Sequence, residues 1–117
     1  MNPVEEYIQS CEENAQEVLF TLHDIFTQDF GLTPKIKFRI PFYYGNTWVL
    51  YVNQPKRGGI EICYLNARRF EYQSRILDFR DRKQVGGITV FKLEDMPLEE
   101  IIHVTKAAVD FDKTIAK

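Results

Sequence analysis

At 117 residues, with a formal net charge of −2, 44% hydrophobic and 27% charged residues, the chain has the size and make-up of one globular domain. No apolar run approaches the ~20 residues of a membrane-spanning helix. The acidic, amphipathic start MNPVEEYIQ lacks the basic and apolar stretches of a secretion signal, so a cytoplasmic protein that does not enter a membrane is expected.

Charge is distributed unevenly. Residues 1–34 hold seven acids and no lysine or arginine, residues 35–83 hold eleven bases against four acids, and residues 84–117 hold four bases against six acids. An acidic helical layer over a basic sheet accounts for this pattern, and so does a surface made to meet an anion or a cation.

Asn2-Pro3 with Glu5 reads as a capped helix start. Ser10 with Glu13 repeats the signal, so residues 4–25 form either two helices or one long one. Val4, Ile8, Cys11, Ala15, Val18, Leu22 and Ile25 mark the buried face in both cases. Gly31 and Pro34 end this segment.

From Lys35 the period changes to two. Ile36, Phe38, Ile40 and Phe42 point one way and Lys35, Lys37 and Arg39 the other, which predicts one strand with a buried and a basic face. Pro41 argues for an edge position or a strand end. After the Gly45-Asn46 turn, Trp48, Leu50 and Val52 alternate with Val49 and Tyr51. After Pro55 to Gly59, Ile60, Ile62 and Tyr64 alternate with Glu61, Cys63 and Leu65. These two strands are apolar on both sides and ask for a cover on each. Residues 67–87 are irregular, with Ser74 placed to cap a short helix through Leu77. A fourth strand, Ile88 to Leu93, precedes a final helix opened by Asp95 and Pro97, whose inner stripe is Leu98, Ile101, Ile102, Thr105, Ala108 and Val109. The fold class is α+β: an antiparallel sheet of four to five strands with the N-terminal and C-terminal helices on one face, in a single domain over residues 1–117.

The segments NPVEEYI, RIPFYYGNTWVLYVN, IEICYLN, RDRKQVGG and LEEII together resemble the small bacterial YdhG-like domains, a family of unknown function, over nearly the whole chain. PFYY followed by an aromatic strand is the most specific part. The resemblance implies the same α+β fold. Some members are described as frataxin-like intracellular iron chaperones, but the family has no agreed activity or catalytic residues. A proline often found near the second helix start is replaced here by Ser10.

Three readings of function follow. The first is a non-enzymatic binding or chaperone-like domain, with a small-molecule groove or homodimer contact at Tyr43, Trp48, Tyr51 and Phe91, on the sheet face that the helices leave open. In the second, which the frataxin-like description implies, iron sits on Glu13, Glu17 and Asp24 along one outer helix stripe, since hard cations prefer carboxylate oxygens. The third is an anion or nucleic-acid site at Lys37, Arg39, Arg80, Arg82 and Lys83, with tyrosines for stacking. The sequence pI of about 5.7 disfavours nucleic acid. Catalysis is not expected. His23 and His103 read as exposed residues on outer helix faces, Ser10 and Ser74 as caps, and Cys11 and Cys63 as small core residues without a zinc site or a supported disulfide.

Overall fold

The computed structural model describes residues 2–115. Helix α1, Pro3–Gln9, opens with a capping box: the Asn2 side chain accepts the Glu5 backbone N–H at 2.9 Å, and the Glu5 carboxylate accepts the Asn2 N–H. The chain breaks at Ser10–Glu12 and restarts as α2, Glu13–Asp24. Ser10 donates its hydroxyl to the Tyr7 carbonyl and does not cap α2, which has no side-chain cap. A π-helical turn, Ile25–Asp29, extends α2 to Gly31, whose φ of 68° ends it.

Five antiparallel strands follow as a meander in the order β1-β2-β3-β4-β5: β1 Thr33–Lys37, β2 Ile40–Tyr44, β3 Trp48–Asn53, β4 Ile60–Tyr64 and β5 Gly86–Val90. Helix α3, Leu98–Lys113, closes the described chain. The α+β class, the antiparallel sheet and the terminal helices agree with the sequence-based expectation. Among the described residues no helix is long and apolar enough to cross a membrane.

The expected strand from Lys35 to Phe42 is instead a hairpin. Phe38 and Arg39 carry φ values of 54° and 67° and form a two-residue turn between Lys37 and Ile40, which pair with each other. Phe38 therefore leaves the core and is 79% exposed. Pro41 lies in the second strand of the sheet, not at its edge; it stands where the β2–β3 ladder has already ended, so its missing N–H removes no bond to β3.

One face of the sheet is dry. Tyr43, Leu50 and Tyr64 align across β2, β3 and β4, with Val52, Ile62 and Ile88 beside them. Val4 and Ile8 of α1, Val18 and Leu22 of α2, and Ile101, Val104 and Ala108 of α3 pack on this face in one core. Each fully buried aliphatic side chain contributes about 2 kcal/mol. The inner stripe of α3 is rotated from the expected one: Val104 is buried, while Leu98 and Ile102 are exposed. Asp112, at the end of α3 and 5% exposed, accepts the Thr47 N–H and hydroxyl at 2.8 and 2.6 Å and also the Asn46 N–H, anchoring the β2–β3 turn to the helix.

Candidate functional site: the outer sheet face

The other sheet face carries one row of paired residues, Lys35, Phe42, Tyr51, Cys63 and Gly87, running from β1 to β5. Strict alternation would put Trp48 on the helix side with Leu50. A register shift at Tyr43/Tyr44 pairs Tyr44 with Trp48 and leaves Val49 without a partner in β2, and this bulge turns Trp48 outward. The Phe42 and Tyr51 rings stack at 4.9 Å and 25°, the Phe42 and Trp48 rings meet edge to face at 5.5 Å, and the Tyr44 and Trp48 rings do so at 4.9 Å. The Lys37 ammonium lies 4.7 Å from the Trp48 ring centroid and within 6 Å of the Phe38 and Phe42 rings. Phe42 is sealed beneath its neighbours, Trp48 and Tyr51 are half-buried, and Tyr44 and Phe38 are exposed. The result is a wall of rings with a cation set into it.

Toward β5 the same face is covered by the chain itself. Asp78 and Gly87 exchange backbone hydrogen bonds of 2.8 and 2.9 Å. This carries residues 78–83 across the outer face of β4. Arg80, with a φ of 53°, reaches the Oε2 atom of Glu61 at 2.7 Å, Arg82 reaches it at 3.2 Å and Arg57 approaches to 3.8 Å. Glu61 is 1% exposed, and its Oε1 atom has no hydrogen-bond partner among the described residues. Gly87 makes room for this cluster, because a Cβ there would fall 2.2 Å from the Glu61 Oε2. Burial, with the Glu61 charge second, pushes the Cys63 thiol up to about 11, which keeps it protonated and unreactive at neutral pH. Burial likewise pushes the Tyr51 hydroxyl up to about 12.

The four residues expected to line a groove are not gathered. Tyr43 faces the helices, since its strand position alternates with Phe42 and Tyr44. Trp48 and Tyr51 share the outer face. Phe91 lies beyond β5, next to Gly58 and Gly59, in a separate groove with Tyr7 and Cys11. The five expected anion ligands also divide. Lys37 belongs to the aromatic wall, Arg39 to the exposed hairpin turn, Arg80 and Arg82 to Glu61, and Lys83 is exposed in the loop, where its carbonyl accepts Arg68. Glu13, Glu17 and Asp24 are exposed along α2 and do not converge; among the described residues no group of three His, Cys, Asp or Glu side chains is placed to hold a metal ion. Their spacing covers three helical turns, so each carboxylate is solvated by itself.

His23 is the clearest departure. It is buried against Tyr43, not exposed, because the turn of α2 that carries it faces β2. His103 is exposed as expected, 3.7 Å from Glu100. Ser74 starts no helix: its hydroxyl donates to Glu100 at 2.6 Å. Cys11 and Cys63 are both free thiols; Cys11 is half-buried where α1 meets the β3–β4 connection, and Cys63 is on the outer sheet face. The importance of Glu61 was readable only as the one acid in the otherwise apolar strand IEICY.

Comparison with protein-family models, with curated proteins and with solved structures gives no match. The likeness to YdhG-like domains therefore rests on the sequence segments named above.

Proposed function

We propose that this chain is a binding domain without a catalytic step, and that it works through the outer sheet face by taking a ligand that joins a flat ring to a negative charge. The observation that supports this is the Lys37 ammonium, 4.7 Å from the Trp48 ring in a wall of half-exposed aromatics. Exposed rings offer stacking surface of about 1–3 kcal/mol per base-like ring, and Lys35, Lys37 and Arg39 supply charge along the same edge. Mononucleotides and single-stranded nucleic acid share this chemistry. A cytoplasmic setting suits such ligands. An iron-delivery role has no gathered carboxylates among the described residues to support it.

Trp48 is the only tryptophan, so its emission reports on the surface directly. At low salt, a mononucleotide and a short oligothymidylate should each quench it saturably. The quenching should weaken with added salt and by about fivefold in Lys37→Gln, the loss of one cation–π and charge contact. Much tighter binding of the oligomer identifies a strand as the ligand, and equal affinities identify the nucleotide. Unchanged emission with both at millimolar concentration overturns the reading. So does a light-scattering dimer whose Trp48 emission shifts with protein concentration, which would assign the face to a second copy of the chain.

A further inference from the structure

A second, unrelated groove of about 610 Å³ lies between the outward side of α3 and residues 69–72. Its wall is fixed, although it lacks regular secondary structure. The hydroxyl of Tyr72 donates to both Glu100 oxygens at 2.7 and 2.8 Å, and that of Ser74 donates to Oε2 at 2.6 Å, which ties this segment to the first turns of α3. The Gln73 amide closes the segment on itself by donating to the carbonyls of Ala67 and Phe70 at 3.0 and 2.7 Å. The Tyr72 ring rests edge-on against His103 at 5.7 Å. A pocket of this volume, already formed, is in the range that holds small molecules.

Its lining specifies the class of ligand. Ala107 and Phe111 on α3 and the Tyr72 ring give an apolar surface. Four charged groups surround it. Lys106 and Asp110 neutralise each other at 2.8 Å. The other two, Arg69 and Glu71, have no ion-pair partner among the described residues, and the Arg69 guanidinium lies 5.0 Å from the Phe111 ring centroid. A free guanidinium takes a carboxylate in a two-pronged contact, and a free carboxylate lining the same groove takes an ammonium. An anion alone would meet Glu71, and a cation alone would meet Arg69.

We infer that this groove binds a small apolar zwitterion, an apolar α-amino acid or a dipeptide of such residues, with its carboxylate on Arg69, its ammonium on Glu71 and its side chain over Phe111 and Ala107. Titration of the isotope-labelled full chain with L-phenylalanine tests this by amide NMR. Saturable shifts are expected at Tyr72, Ala107 and Thr114. Phenylalaninamide, which lacks the carboxylate, and N-acetylphenylalanine, which lacks the ammonium, should each bind at least about tenfold more weakly, the loss of one charge-assisted contact. Arg69→Gln should bring phenylalanine down to the level of its amide, and Glu71→Gln should bring it down to that of the acetyl form; both positions are exposed, so the fold should be retained. A dipeptide that binds more tightly than the single residue extends the ligand, and one that binds less tightly limits it to the amino acid. Absence of saturable shifts, or equal binding of the blocked and free forms, overturns the inference. Trp48 emission should not respond to phenylalanine, so the two sites fail or succeed separately.

Discussion

The Nδ1 atom of His23 lies 2.8 Å from the hydroxyl oxygen of Tyr43, and both side chains are buried where α2 crosses β2. The two rings are tilted at 59°, and Phe26 completes the contact edge-on to Tyr43 at 5.0 Å. Burial raises the Tyr43 hydroxyl well above its ordinary range, so it keeps its proton. One partner donates and the other accepts, which a neutral imidazole allows and a neutral pair requires.

Burial also lowers the His23 value below its ordinary 6.5, against the opposing charges of Glu5 and Asp24. The unfolded chain then takes up the proton before the folded one. The stability that rests on neutral His23 is therefore fully present above about pH 6.5, and is lost as pH falls through the folded value. Thermal unfolding should show a Tm that is flat near neutrality and falls from about pH 6.5 downward, before carboxylates titrate. His23→Gln should flatten this limb while costing roughly 1 kcal/mol at neutral pH. A wild-type Tm that does not change between about pH 7 and 5.5 would contradict this assignment.

The β1–β2 turn places two L-residues, Phe38 and Arg39, in the left-handed region that glycine and asparagine occupy at least cost. Replacing them with Asn-Gly should stabilise the hairpin by about 1 kcal/mol, read as a higher denaturation midpoint with an unchanged slope. The same substitution removes an exposed ring from the Lys37 cluster. A variant that is more stable but binds a nucleotide more weakly is the expected result. Lower stability would mean that the Phe38–Phe42 contact outweighs the backbone strain.

This turn shows where sequence reading stops. The alternation Ile36, Phe38, Ile40, Phe42 is a sound period-two pattern, but a tight turn inserted without Gly, Asn or Pro carries no composition signal, and the pattern continues through it. The bulge at Val49 is of the same kind: one unpaired residue redirects Trp48, and only the register reveals it. What depends on helix and strand periodicity was legible: the capping box at Asn2, the core stripe through Val18 and Leu22, the order of the elements and the doubled apolar faces of β3 and β4. The second cover those faces asked for is partly supplied by residues 78–83, whose path over Glu61 depends on contacts between residues about twenty apart in the chain. The spacing of Glu13, Glu17 and Asp24 gave their positions on α2; His23 also follows the buried spacing, four residues after Leu19 and three before Phe26, but the partner that lets a polar ring sit on that stripe, the Tyr43 hydroxyl, is seen only once β2 is packed against the helix.

Glu61 and Gly87 make the strongest test of that cover. The carboxylate is shielded from water and held by Arg80 and Arg82, and Gly87, diagonal to Glu61 on the neighbouring strand, leaves no space for a methyl group, since a Cβ would lie 2.2 Å from Oε2 and 3.1 Å from an Arg82 nitrogen. Gly87→Ala should therefore push the carboxylate off its arginines and cost about 2–3 kcal/mol, the scale of disrupting a buried ion pair. Glu61→Ala alone removes the buried charge together with its partners' reason for folding over the sheet, at a similar cost. In the double variant the methyl has no carboxylate to meet, so the two costs should fall short of adding by more than about 1 kcal/mol. A chemical-denaturation cycle over the four proteins measures this coupling. Strict additivity would show that the Gly87→Ala cost does not pass through the Glu61 carboxylate, and a Glu61→Ala cost near zero would show that the Asp78–Gly87 backbone bonds alone hold residues 78–83.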